Sequence, residues 1–365
     1  MTRFDTLPCV KSELDGAEIE DTGGSGLPTS KLATNMTPSI RRKKIGVGVL
    51  IGAGAFSMTV AALLPTYTAG QLKKLPLDVE SATISHATEA DVLDVVDTAS
   101  GKPTTDHGVP VQVEVYVTSE DPSDADLTTL QAASRITRTD IPGPAGLISA
   151  SVDRVSLNRK TALPVSDPVP TTLTASGRPP VETPREGLQY KFPFGTQKTS
   201  YPYYDGTARQ TRPINFVDED RVIDGTRLYH FRQQVGPVNL GESIGKDATL
   251  TLPASSWGLP GDTPFTMNLF YATTRDVWVE PVSGAMVAVE EQPHRWLART
   301  ASDPLAVTSF AAHTRFDENT VVELASTARS ARNTIQWGTV YIPSILAALG
   351  AGLIGTGLLL ARRWR

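Results

Sequence analysis

Two uncharged apolar stretches near the ends dominate the hydrophobic pattern. Residues 45–64 contain no charge over 20 positions, and residues 339–361 contain none over 23. A helix that rises about 1.5 Å per residue needs roughly 20 residues to cross a hydrocarbon core of about 30 Å. The pattern therefore predicts transmembrane helices at 45–64 and 339–361, rather than buried core helices.

Between these stretches the hydrophobic period is two. Residues 109–118 and 147–157 alternate apolar and polar positions, which is typical of half-buried strands. Further strand candidates are residues 229–235, 268–273 and 306–316, together with a hairpin that turns at 281–284. The fold class predicted is mainly β, with one large antiparallel domain, barrel-like or sandwich-like, at 65–336 between two terminal transmembrane helices.

Three other segments have their own patterns. Residues 1–40 are polar and glycine-containing, which predicts a disordered tail. Residues 161–184 contain six prolines, which predicts a long external loop. Residues 318–337 have helical spacing, so we expect a helix that continues into the second span.

Basic residues set the expected orientation. Four of them, at 41–44, precede the first span, and Arg362, Arg363 and Arg365 follow the second. Lys and Arg are retained on the cytoplasmic side, so both ends, including 362–365, are expected in the cytoplasm. The β domain then lies on the outer, periplasmic side of the plasma membrane. A cleaved signal peptide in place of the first span is disfavoured by its length.

Composition narrows the class of protein. Residues 65–336 carry 24 Lys and Arg against 33 Asp and Glu, a net charge of −9, and no basic patch. Nucleic-acid binding is therefore excluded. The one cysteine, Cys9, lies in the tail, so the β domain is predicted to fold without disulfides.

Small residues line one face of each span. Gly48 and Gly52 are four residues apart, and so are Ala348, Gly352 and Thr356. Such faces let helices approach closely, either between the two spans or against a partner. Neither span contains an ionisable residue, which we interpret as evidence against a transport channel.

Candidate chemistry is sparse. Residues 241–245 match the G-x-S-x-G pattern around Ser243, but no strand-turn-helix context surrounds them, so a hydrolase is disfavoured. The histidines lack metal-ligand spacing. We therefore predict a protein that is not an enzyme, with no catalytic residue, metal or cofactor.

Aromatic residues cluster in the middle of the chain, where they would fill the core or line an apolar cavity. The candidate ligand-binding residues are Tyr201, Tyr203, Tyr204, Tyr229, Phe231 and Trp278.

Three motifs carry a resemblance to a known family. They are YPYYD at 201–205, DGTRLYHF at 224–231 and VWVEPVSG at 277–284, in this order between two terminal spans. The chain resembles a family of mycobacterial and corynebacterial envelope proteins, described as a domain of unknown function or as the porin PorA family. The topology is also similar to that of class B scavenger receptors.

The resemblance implies residence in the plasma membrane and a role in building the mycolic-acid envelope, with trehalose mycolates or mannosylated lipids as ligands and a lipid exporter or envelope synthase as partner. The function expected is therefore non-enzymatic lipid binding or lipid handover. The alternatives are a membrane scaffold that positions envelope-synthesis partners and a Ser243 hydrolase. A porin function is set aside, because a β-barrel pore has no use for two apolar helices.

Overall fold

The computed structural model describes residues 38–94, 101–174, 177–219 and 221–364. The predicted disordered tail lies almost entirely outside these ranges. The described part contains four α-helices, α1 (Pro38–Leu72), α2 (Leu240–Ser243), α3 (Glu318–Gln336) and α4 (Ile342–Arg363). Two of the helical segments, Lys44–Leu72 and Glu318–Arg363, are long and apolar enough to cross a membrane.

The domain between α1 and α3 is built from strands. In chain order they are β1 (Glu80–Asp94), β2 (Thr104–Glu120), β3 (Leu127–Arg138), β4 (Leu147–Asn158), β5 (Thr171–Leu173), β6 (Val181–Glu182), β7 (Tyr201–Asp205), β8 (Gln210–Asp218), β9 (Val222–Ile223), β10 (Thr226–Arg227), β11 (Tyr229–Asn239), β12 (Thr249–Pro253), β13 (Pro264–Glu280), β14 (Ala285–Ala298), β15 (Val307–Ala312) and β16 (Thr314–Phe316).

Fourteen of these strands form one antiparallel sheet, whose main path runs β6-β5-β4-β3-β2-β1-β15-β14-β13-β11-β8-β7. The sheet is strongly curved, because strands distant along this path share a core. Val155 and Leu157 of β4 pack in one cluster with Phe231 of β11 and Val277 of β13. The two halves of the sheet thus face each other, and the mainly β, barrel-like or sandwich-like class is confirmed.

Helix α3 connects the domain to the membrane. Its N-terminus is capped by Asp317, whose carboxylate accepts a hydrogen bond of 2.7 Å from the Thr320 amide. Ala325 and Ala328 pack with Leu228 and Val287 on the side of the sheet opposite the main core. A π-helical segment, Trp337–Tyr341, joins α3 to α4 without a break, so the predicted continuous helix is confirmed.

Two local predictions need correction. Residues 161–184 are not wholly loop, because β5 and β6 form an edge of the sheet there. Prolines are tolerated near an edge, because the backbone N–H that they lack is not needed to pair with a further strand. The first span was predicted to end at residue 64, but α1 continues as helix to Leu72, since Pro65 lies inside the helix and does not end it.

Candidate functional site: the paired membrane helices

Helices α1 and α4 approach each other closely at glycines. A β-carbon on Gly54 would lie 2.7 Å from the carbonyl oxygen of Gly350, and one on Gly350 would lie 2.7 Å from the Gly54 oxygen. At Gly357 it would lie 2.7 Å from Cγ1 of Ile51. Any side chain at these positions would push the helices apart, so these glycines set the spacing of the pair.

Two interhelical hydrogen bonds fix the register of the pair. The Ser57 hydroxyl donates to the Leu346 carbonyl at 2.8 Å, and the Thr68 hydroxyl donates to the Gly338 carbonyl at 2.9 Å. The second contact ties the end of α1 to the π-helical segment. Ser57 lies inside the predicted first span and Thr68 lies just beyond its end, so the two bonds hold the pair at two levels.

The small-residue faces identified from sequence point away from this contact. A β-carbon added at Gly48, Gly52 or Gly352 would meet no atom of the opposite helix within 4 Å, and Thr356 is exposed. Thr59 is also exposed, and helical spacing places it on the Gly48 and Gly52 side. The contact between the two spans therefore uses other glycines, Gly54, Gly350 and Gly357. The small-residue faces predicted from sequence are not covered by the opposite helix in a single copy of the chain.

The candidate aromatic residues are divided among three places. Tyr203 and Phe231 are buried in the main core, against which Tyr201 and Tyr229 pack. The ring of Phe231 lies 4.7 Å from that of Phe192, centroid to centroid. These four aromatics are brought together, as tightly packed neighbours.

The other two candidates lie elsewhere. Trp278 stacks on His230, with 4.7 Å between ring centroids, and the Arg221 guanidinium carbon lies 4.5 Å from its ring centroid, on the side of the sheet near α3. Tyr204 faces Arg185, with 4.6 Å between the guanidinium carbon and the ring centroid. The ligand-binding role of all six residues stays a prediction.

Sequence reasoning missed a charged layer inside the domain. The Arg275 guanidinium donates to Gln233 at 2.5 Å, to Asp205 at 3.0 Å and also to Glu291. Burial lowers the pKa of Arg275, but the charges of Glu291 and Asp205 outweigh this and raise its pKa well above the ordinary value. The alternating pattern of β13 could have revealed this buried arginine. Arg275 lies two residues from Thr273 and from the core residue Val277, and four from Tyr271, so all four side chains are expected on the same face of the strand.

Ser243 ends the four-residue helix α2. No hydrogen bond joins its side chain to a histidine or a carboxylate in the described part of the chain. Among the same residues, no group of three or more His, Cys, Asp or Glu side chains is arranged to hold a metal ion.

Comparisons with known proteins give the family. The profile of the family described as Porin PorA matches residues 47–359, which include most of both membrane helices. A protein named Porin PorA from Corynebacterium amycolatum is 30% identical, over 82% of this chain and 94% of the relative. Another of that name from Corynebacterium resistens is 28% identical, over 88% of this chain and 98% of the relative.

These findings overturn the function expected from sequence. Lipid binding and lipid transport are wrong as the assigned function, and neither the scaffold nor the Ser243 hydrolase is supported, because the family and both relatives carry the porin description. Setting the porin function aside disagrees with this description, because that argument considered only a pore through a β-barrel. The chain is a membrane protein, and it belongs to the porin PorA family.

Proposed function

We propose that the protein forms a channel across the membrane as an assembly of several copies, with the α1 and α4 helices of each copy surrounding the pathway. The observation that carries this proposal is the family match, which extends through most of both apolar helices. The relatives named as porins supply the channel function.

The β domain offers little support for a path through a single copy. Phe192, Ile214 and Phe231 are fully buried in the space between the two halves of the sheet. Close-packed side chains of this kind leave no water-filled passage. A route through the membrane must therefore involve the helices.

Two helices in contact cannot enclose a lumen, so the pathway requires further copies. Gly48, Gly52 and Gly352 place residues without a side chain on the surface of each helix that faces away from the α1–α4 contact, next to exposed apolar residues such as Phe56 and Leu359. Thr59 and Thr356 are exposed on these surfaces; each hydroxyl donates to a carbonyl of its own helix, and its oxygen is left as an acceptor. Small faces permit close helix association between copies, and hydroxyls with exposed backbone offer hydrogen-bonding groups to water.

The finer localisation is part of the same proposal. The basic residues before α1 and after α4 favour a plasma membrane protein with both ends in the cytoplasm and the β domain outside. The expected partners, a lipid ligand and a lipid exporter or envelope synthase, stay predictions.

Channel recordings test the proposal. Purified full-length protein in planar bilayers should produce discrete current steps. Gly52→Leu fills the uncovered face and should lower step frequency at least tenfold, whereas Val49→Leu, on the adjoining exposed surface, should leave it unchanged. Wild-type protein that is folded and inserted but produces no steps would refute the channel function.

A further inference from the structure

A cavity of about 650 Å³ lies outside the membrane helices, between the proline-rich segment and the hairpin of β7 and β8. Pro164, Pro170 and Pro184 form rigid apolar parts of its wall. Tyr204 and Arg209 contribute polar groups to the same wall. Its size is in the range of small-molecule sites.

Arg185 also lines the cavity, but its donors are already committed. Its guanidinium holds both Asp153 oxygens, at 2.7 and 2.8 Å, and reaches Thr183 and Gln189. This group therefore acts as a support for the Tyr204 ring, which it covers. It has little capacity left for a ligand.

Tyr204 and Arg209 differ from Arg185 in this respect. Tyr204 is 3% exposed, and among the described residues its hydroxyl has no hydrogen-bond partner. Burial raises the pKa of Tyr204, with the nearby charges of Arg185 and Arg209 opposing, so the hydroxyl remains a donor. The Arg209 guanidinium likewise has no carboxylate or carbonyl partner within the described ranges.

The backbone at Arg209 is strained. Its φ is +53°, a left-handed conformation that residues with a β-carbon rarely adopt. The turn is held from inside by Asp205, which accepts from the Ala208 amide at 2.7 Å and from Arg275 at 3.0 Å. An arginine thus occupies a position that suits glycine, and its side chain lines the cavity.

We propose that this cavity binds a small molecule through an oxyanion, a carboxylate or a phosphate, held by the Arg209 guanidinium and the Tyr204 hydroxyl. Guanidinium and hydroxyl donors form the strong hydrogen bonds that an oxyanion accepts. Glu186 lines the same cavity with a negative charge, so a ligand with a single oxyanion is favoured over a polyanion. The site is independent of the proposed channel.

Titration of the full-length protein in detergent with inorganic phosphate and, separately, acetate tests this assignment by calorimetry. At least one anion should bind saturably, and the stronger one identifies the oxyanion. Arg209→Gln should weaken binding at least tenfold and Tyr204→Phe severalfold. Arg212→Gln is the matched control, because Arg212 lies in the same hairpin, is exposed and is not part of the cavity wall.

Arg209→Gly separates binding from folding. It relieves the strained backbone, so it should raise the melting temperature while losing the anion. Absence of saturable binding of either anion to wild-type protein, or equal affinities in wild type and Arg209→Gln, would overturn the proposal.

Discussion

Lys191 makes the stability of the β domain depend on pH. Its ammonium group donates to the carbonyls of Phe192, at 3.0 Å, and Ser283, and lies 3.7 Å from the centroid of the Phe194 ring. Burial lowers the pKa of Lys191 from 10.5 to about 7, against an opposing effect of Glu280. The lysine is thus held where its charged form is poorly solvated.

The direction of the pH effect on stability follows from proton binding to the folded and unfolded chains. Between pH 7 and 10.5 the unfolded chain keeps the Lys191 proton and the folded chain tends to lose it, so the free energy of unfolding rises with pH. One pKa unit corresponds to about 1.4 kcal/mol, so from pH 7 to 9.5 this group should contribute about 3 kcal/mol. For a domain of this size, that is roughly a 10 °C change in melting temperature.

The assay compares wild type with Lys191→Met by circular dichroism of full-length protein in detergent across this pH range. The melting temperature of wild type should rise with pH relative to the variant. Lys198→Met is the control: a hydrogen bond to Glu219 raises the pKa of the exposed Lys198 above its ordinary value of 10.5, so its contribution is lost only above this pH range. The Lys198→Met curve should therefore run parallel to that of wild type. Wild-type and Lys191→Met curves that run parallel would refute the reasoning.

Three further predictions concern the core, the helix pair and the topology. Phe231→Ala should lower the free energy of unfolding by about 3 to 5 kcal/mol in chemical denaturation, because the side chain is fully buried; a loss below about 1 kcal/mol would contradict the packing described. Gly54→Ala should separate the helices and lower the melting temperature of the membrane part, whereas Gly52→Ala should not, since its face is open; equal effects would disprove the pairing. Cysteines placed in residues 161–184 should react with an impermeant reagent on intact cells while Cys9 stays protected, and labelling of Cys9 would reverse the proposed orientation.

The sequence predicted most of the architecture because the relevant signals are local. An uncharged run identifies a span, and alternation identifies β2, β4 and β11, since each pattern depends on neighbours in the chain. Strand β1 was missed: its sequence, ESATISHATEADVLD, is largely polar, and its pairing with β2 and β15 comes from elsewhere in the chain.

The candidate sites were harder to predict, because they depend on which faces meet. The glycine pattern gave no means of choosing Gly54 and Gly350 over Gly48 and Gly52 as the contact; the helix pairing decided it. Trp278 and Phe231 look equivalent in sequence, yet they lie in separate clusters on different sides of the sheet. Arg209 had no signal, since its importance comes from the conformation of a turn.

Single-channel recording of Thr59→Cys, in a Cys9→Ser background, tests the channel assembly most directly. In the proposed assembly, several copies surround a pathway and the α1 face that carries Thr59 points toward it. Purified protein should then give discrete current steps, and the current through each step should fall when a water-soluble thiol reagent is added. The Cys9→Ser protein alone should be insensitive to the reagent. Current steps that are absent, or that the reagent leaves unchanged in Thr59→Cys, would contradict the proposed arrangement of the helices around the pathway.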